Sequence, residues 1–321
     1  MYDIGANLTD AMFQGIYGNS RKHQVEVVET LLSGIDYKYR YKILSHVYFS
    51  FLPADLDQVI QRSFQNGLDK IIATSGTYAE TLQSLELCSK YDNLYTTCGY
   101  HPTRCQEFAQ NDENVLIEKM VDLLKNDKVI AIGELGLDYE RQQFCSIDIQ
   151  KRYFEFQLKN LTSNSMNRKP LFLHNRSSTQ DLYEILNRYR ENIVGGVIHS
   201  FDGTYDEAKL FLDLGYYIGI NGCSMKSQEN LDVIKQIPQD RILIETDSPW
   251  CGIKQSHASY RYVKTHYDSV KKEKWQENKM IKDRNEPTCI VQICEVIAAI
   301  HEENFDDLCD QIYQNTVKLF F

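Results

Sequence analysis

Four short segments each end an apolar, strand-like run on or beside a residue able to bind a metal ion. They are Val129-Ile-Ala-Ile-Gly-Glu134, Pro170-Leu-Phe-Leu-His174, Gly196-Val-Ile-His199 and Arg241-Ile-Leu-Ile-Glu-Thr-Asp247. Two carboxylates and two imidazoles suit Zn²⁺, Mn²⁺ or Mg²⁺, and such a set points to metal-assisted hydrolysis. A single histidine of this kind is more often a hydrogen-bonded structural residue. It is the shared position of His174 and His199 with Glu134 and Asp247, each where a strand stops, that singles them out. Gly133 and Gly136 permit close approach around Glu134, which argues against a mere buried ion-pair partner. His101 also follows a strand-like run, whereas His23, His46, His257, His266 and His301 lack that setting.

These residues need a scaffold that gathers strand ends. Strand-like runs cover Tyr2–Leu8, Leu68–Ser75, Leu94–Tyr100, Val129–Gly133, Pro170–His174, Gly196–His199, Tyr216–Asn221 and Arg241–Thr246. They are rich in Val, Ile, Leu and Phe, as strands buried on both faces should be. Helical patterns lie between them at Asp55–Gln65, Tyr78–Lys90, Glu113–Asn126, Ile147–Leu161, Ser178–Tyr189, Tyr205–Leu214 and Gln228–Gln236. This alternation predicts an α/β fold, a (β/α)8 TIM barrel, whose strands deliver their C-terminal ends to one rim. We expect one domain over residues 1–321 with insertions near 34–53 and 251–287. Within the second, Arg261 to Arg284 carries eight Lys or Arg against four Asp or Glu, with Tyr260, Tyr262, Tyr267 and Trp275 beside and among them. Two readings stand for it: a solvated excursion pinned by its aromatics, or a nucleic-acid rim of cations and stacking rings.

With 42% hydrophobic residues in 321, the chain has material for a sizeable core. Its formal net charge of −10 argues against coating or packaging nucleic acid by nonspecific phosphate neutralisation. An enzyme that touches a few phosphates and releases them remains compatible with that charge. The nine cysteines are scattered without a C-x-x-C pair, so reduced thiols are expected, in the cytoplasm or nucleus. Neither a secretory signal nor an 18-residue apolar run is found.

Six segments occur in the order of the signatures of the TatD family. They are Asp3-Ile-Gly-Ala-Asn-Leu-Thr, Gly99-Tyr-His-Pro, Ile132-Gly-Glu-Leu-Gly-Leu-Asp-Tyr, Phe172-Leu-His-Asn-Arg, His199-Ser-Phe-Asp-Gly-Thr and Glu245-Thr-Asp-Ser-Pro-Trp. The chain resembles these metal-dependent deoxyribonucleases, built on an amidohydrolase-like barrel, from its first strand to its end, including Arg284-Asn-Glu-Pro. The segment after Trp250 is most similar to the eukaryotic branch. The resemblance implies one or two divalent ions, with Glu134 bridging them and His174 and His199 completing the inner one. Asp247 would ligate the other ion and take a proton from the attacking water. Many members carry His-x-His on strand one; this chain has Gly5-Ala6-Asn7, and Asn7 offers only one neutral amide oxygen as a weak ligand. We therefore expect one firm and one exchangeable ion. By family position His101 contacts phosphate or helps the leaving group, the alternative being support of its own loop. Arg176 would grip a phosphate, the alternative being an ion pair with Asp138 or Asp202.

The implied activity is hydrolysis of phosphodiester bonds in DNA, with RNA as a further transient substrate. The alternative is an amidohydrolase or esterase on the same barrel, such as a lactonase or aminoacyl-tRNA deacylase. The missing His-x-His weakens that alternative, since amide chemistry leans on a firmly held outer Zn²⁺. A metal-binding scaffold without turnover is disfavoured by the intact Glu134, His174, His199 and Asp247.

Overall fold

The apolar runs become eight parallel strands in the computed structural model, which describes residues 1–17, 54–162 and 168–321. They are β1 (Tyr2–Ala6), β2 (Lys70–Ala73), β3 (Leu94–Cys98), β4 (Val129–Asp138), β5 (Leu171–Arg176), β6 (Gly196–Ile198), β7 (Tyr217–Ile220) and β8 (Ile242–Ile244). Each pairs with the next in chain order. The ring closes at the rim, where Ala6 bridges Ser248 in parallel and Asp247 N donates to Gly5 O at 2.7 Å. Asp3 adds a side-chain stitch across the same seam, accepting from Thr246 N at 2.9 Å and Thr246 Oγ1 at 2.5 Å. Eight parallel strands in order, with helices between them, make the (β/α)8 barrel expected from the sequence.

Helices α1 (Leu56–Gln65), α2 (Tyr78–Cys88), α3 (Gln106–Gln110), α4 (Glu113–Leu123), α5 (Ile147–Leu161), α6 (Thr179–Tyr189), α7 (Tyr205–Asp213) and α8 (Gln228–Gln236) intervene between strands. Their starts follow from local chemistry. Thr77 and Asp112 accept from backbone N–H groups of the first turns of α2 and α4, and Thr204 forms a reciprocal capping box with Glu207 at α7. Ile4, Ile72, Ala131, Phe172, Val197, Tyr217 and Leu243, one from each of seven strands, pack into one cluster with half-buried Tyr95 of β3. The barrel is thus filled by side chains, as such barrels are, and its chemistry is confined to the mouth. Among the described residues no helix is long and apolar enough to cross a membrane.

Two strands outrun their expected ends. β4 continues from Gly133 to Asp138 and β5 from His174 to Arg176, pairing as far as Asp138 with Arg176. Glycine makes this possible: a Cβ on Gly133 would lie 2.2 Å from Phe172 O, and one on Gly136 2.0 Å from His174 O. The register shifts between Ile132 and Leu135, so Glu134 sits in an irregular stretch of the ladder.

The insertion near 34–53 lies outside the described residues. The one after β8 is short 3-10 turns plus a two-stranded ribbon, β9 (Ser269–Val270) with β10 (Met280–Ile281), before α9 (Ile290–His301) and α10 (Phe305–Phe320). Glu295 anchors it by accepting from Lys264 N at 2.7 Å and Thr265 Oγ1 at 2.5 Å. At its far end buried Arg284 grips Asp55 through two 2.7 Å bonds and donates to Met12 O at 3.3 Å. Asn285 Nδ2 reaches Thr246 O at 2.9 Å, tying the insertion to the residue before Asp247.

Candidate metal centre

Three imidazoles converge on one carboxylate oxygen. Glu134 Oε1 lies 2.8 Å from His174 Nδ1, 2.8 Å from His199 Nε2 and 3.4 Å from His101 Nε2. The nitrogens crowd each other: His174 Nδ1 is 3.3 Å from both His199 Nε2 and His101 Nε2. A single carboxylate oxygen has two lone pairs, so it cannot satisfy three ring nitrogens together. A divalent cation held by Glu134, His174 and His199 would relieve this crowding, and the donor set of imidazole nitrogen and carboxylate oxygen fits such an ion. Donor atoms of His101, Glu134 and His174 all lie within 4.8 Å of one another.

Each of two imidazoles turns its far nitrogen onto a buried acid. His174 Nε2 is 3.1 Å from Asp138 Oδ2, and His199 Nδ1 is 3.4 Å from Glu245 Oε1. Such outer partners fix ring orientation and tautomer in metal sites. Asp138 is fully buried, its Oδ1 accepting from Glu140 N and Arg141 N. Glu245 Oε1 accepts from Ser200 N at 2.6 Å and Asn221 Nδ2 at 3.1 Å, while its buried Oε2 has no hydrogen-bond partner among the described residues. Neither role was anticipated from the sequence, where Asp138 stands only as a possible partner of Arg176.

Charge follows from this packing. Burial works against ionising Glu134, yet the charge on His199 and the hydrogen bonds from His174 and His199 hold its carboxyl well below the usual range. Burial likewise opposes charge on His199, but Glu134 and Glu245 carry it well above the ordinary histidine value. For His101 burial wins and pushes the ring down to about 3, so it is neutral. Its Nδ1 accepts from Thr103 N at 3.2 Å, which leaves the ring proton on Nε2, facing Glu134.

Asp247 occupies the same rim with other partners. Asn7 Nδ2 donates to Oδ1 at 2.8 Å, and the Cys251 thiol to Oδ2 at 3.1 Å. Among the described residues it makes no hydrogen bond to the Glu134 cluster. Burial raises its carboxyl above the usual range, with His199 opposing and Glu245 adding. Its backbone is left-handed, with φ of 52°. Asn7 directs its amide oxygen to the Thr74 hydroxyl at 2.9 Å, so that oxygen is already engaged. Arg176 pairs with Asp202. Of the expected site residues, then, Glu134, His174, His199 and His101 share one point, Asp247 and Asn7 form a neighbouring pair, and Arg176 stands at the rim with a carboxylate.

The model of the TatD-related DNase family matches residues 45–321. The chain belongs to that family. The TatD-related chain is 36% identical to a Schizosaccharomyces pombe protein described as Deoxyribonuclease Tat-D, over 99% of its own length and 95% of the relative's. A Saccharomyces cerevisiae protein of the same description is 30% identical, over 99% and 90%. Among solved structures, a TatD family hydrolase from Entamoeba histolytica superposes with a TM-score of 0.83 at 35% identity, covering 100% of this chain and 98% of that one. The TatD membership expected from six ordered signatures is thereby borne out.

Proposed function

We infer that this chain is a metal-dependent nuclease that hydrolyses phosphodiester bonds of DNA. The observation that carries the reading is the convergence of three imidazoles on Glu134 Oε1 at the mouth of a TatD-family barrel. Glu134, His174 and His199 would hold the ion, with the His101 Nε2–H turned toward the same point. When bound, the cation supplies Lewis-acid stabilisation of phosphate charge and lowers the pKa of water.

The chain's own groups then have distinct tasks in this proposal. Asp247, whose burial raises its affinity for a proton, accepts the proton of the attacking water, while Asn7 and Cys251 fix its two oxygens. His101 is held by Thr103 as a neutral Nε2–H donor and offers that proton as a hydrogen bond to a phosphate oxygen. Arg176 exchanges Asp202 for a substrate phosphate, a swap of one anion for another that suits its fork of donors. In the insertion after β8, Tyr17, Lys271, Lys272 and Lys282 line a cleft of about 470 Å³ together with Glu273 and Asp283, and its lysines support a contact with a polyanion. No observation specifically favours the amidohydrolase alternative.

The test is a panel of single-stranded DNA, duplex DNA, RNA and a p-nitrophenyl ester, each with Mg²⁺, Mn²⁺ or Zn²⁺. DNA cleavage is expected, falling by roughly two orders of magnitude or more in Glu134→Ala and His174→Ala while circular dichroism stays unchanged. A wild-type protein that cuts no nucleic acid with any metal yet hydrolyses the ester overturns the nuclease reading.

A further inference from the structure

Trp250 stands on the loop that follows β8, three residues past Asp247, at the rim where the metal cluster lies. Among the described residues it is the most exposed of the large apolar side chains, at 52%. The chain's other tryptophan, Trp275, instead buries its Nε1. The backbone that carries Trp250 is held on every side. Trp250 N donates to Asp247 O at 3.0 Å, Asn7 N to Ser248 O at 2.7 Å and Asn285 N to Pro249 O at 3.0 Å. Beyond it the loop packs without slack, since a Cβ on Gly222 would lie 2.1 Å from Cys251 O. A single exposed apolar residue is ordinary on a protein surface. Trp250 differs in combining a wide aromatic face, a rigid mount and a place beside the proposed proton acceptor. A held indole offers a large contact area at little entropic cost, which is the form of a binding anchor.

We propose that the Trp250 indole is a stacking platform for an unpaired nucleobase flanking the scissile phosphate. The proposal rests on the nuclease reading of the same mouth and names the part of the substrate that this loop recognises. Every nucleobase has a π-face, so such a platform binds without regard to sequence. Inside a duplex both faces are covered by neighbouring pairs, so the base on Trp250 must lie outside the stack or at a strand end. The bond from Trp250 N to Asp247 O fixes the platform relative to the proton acceptor. A base seated on the indole therefore brings its own phosphate to the Asp247 side of the mouth, while Arg176 and the Glu134 cluster act on the phosphate itself.

The experiment uses the full chain with Trp275→Phe, so that Trp250 is the sole indole. A single-stranded oligonucleotide of about eight nucleotides, made resistant to cleavage by phosphorothioates, is titrated in Mg²⁺ while indole fluorescence is read. Saturable quenching is expected. In cleavage of the unmodified strand, Trp250→Ala should raise KM roughly 5- to 150-fold, with kcat changed less than about threefold, and Trp250→Phe should recover most of the loss. Strands with one abasic position, scanned across the sequence, supply a readout that a merely structural role would not move. At one position next to the cut, the missing base should weaken binding to the wild type by a similar factor and leave binding to Trp250→Ala unchanged. If the oligonucleotide binds and is cut but neither quenches Trp250 nor loses affinity in Trp250→Ala, the stacking proposal is overturned and the nuclease reading stands. An abasic penalty that persists in full in Trp250→Ala also overturns it. A wild type that neither binds nor cuts DNA overturns both.

Discussion

His174 turns Nε2 onto Asp138 Oδ2 at 3.1 Å and keeps Nδ1 for Glu134 Oε1 at 2.8 Å. The ring is therefore held at both nitrogens by acids from the same strand, four residues apart on β4. Asp138 also spans the turn that follows, accepting from Glu140 N at 3.1 Å and Arg141 N at 3.0 Å. Burial opposes its charge, but the bond to His174 holds its carboxyl below the usual range. An amide in its place keeps the turn while removing the anion that orients the ring. Asp138→Asn is expected to raise the Mn²⁺ concentration for half-maximal cleavage by about 10–100-fold, with partial recovery at saturating metal. An unchanged metal requirement would show that Asp138 serves only the turn.

All eight strands and the seven helices read from the sequence appear within a few residues of their expected bounds. Continuous apolar runs and amphipathic intervals leave little freedom in a barrel whose interior is full. What escaped the sequence was the reach of β4. Gly133 and Gly136 read as permitting close approach around Glu134, and that same close approach to β5 lets β4 run on to Asp138. That extension is why the outer partner of His174 was not foreseen. Glu245 was overlooked because Asp247, two residues on, drew the functional assignment. Its position against His199 depends on β6 and β8 being brought together across β7, which no local pattern encodes. The fate of the Asn7 oxygen, taken up by Thr74 of the neighbouring strand's end, is likewise a tertiary fact.

The proposed second ion has a poorer setting than the first. Near Asp247 the neutral oxygen of Asn7 is already bonded to Thr74, and burial makes Asp247 hold a proton more tightly than an exposed carboxylate does. The Glu134 cluster, by contrast, collects three ring nitrogens with acids behind two of them. Soaking crystals in Zn²⁺ or Mn²⁺ without nucleic acid is expected to give a strong anomalous peak at Glu134 and weak or partial occupancy beside Asp247. Two fully occupied Zn²⁺ ions in the absence of substrate would contradict this asymmetry.

The basic insertion offers Lys271 and Lys272 to a cleft shared with Tyr17, and Lys272 Nζ stands 5.5 Å over the Tyr17 ring. On a chain of net charge −10, such a local patch is where phosphate attraction has to come from. Replacing Lys271, Lys272 and Lys274 together with Ala is expected to raise KM for DNA severalfold with little change in kcat. For every phosphate left without its lysine, the slope of log KM against log salt should fall by about 0.7–0.9. An unaltered salt dependence assigns the segment to the solvated, aromatic-pinned excursion.

Asp3 closes the barrel by a side chain, bonding Thr246 across the seam between β1 and β8 and accepting from Gly5 N at 3.2 Å. Burial dominates these bonds and pushes its carboxyl up to about 8. In the unfolded chain an aspartate titrates near 3.9. Between those values the native state keeps a proton that the unfolded state has released, so Asp3 favours folding fully below about pH 4 and progressively less as pH rises toward 8. The slope from this one group has a ceiling of about 1.4 kcal/mol per pH unit. Urea midpoints should therefore drop more between pH 5 and pH 8 for the wild type than for Asp3→Asn, which has no proton to lose. Equal drops in the two proteins would mean that Asp3 is already ionised in the native barrel and that Thr246 and Gly5 suffice to hold its charge.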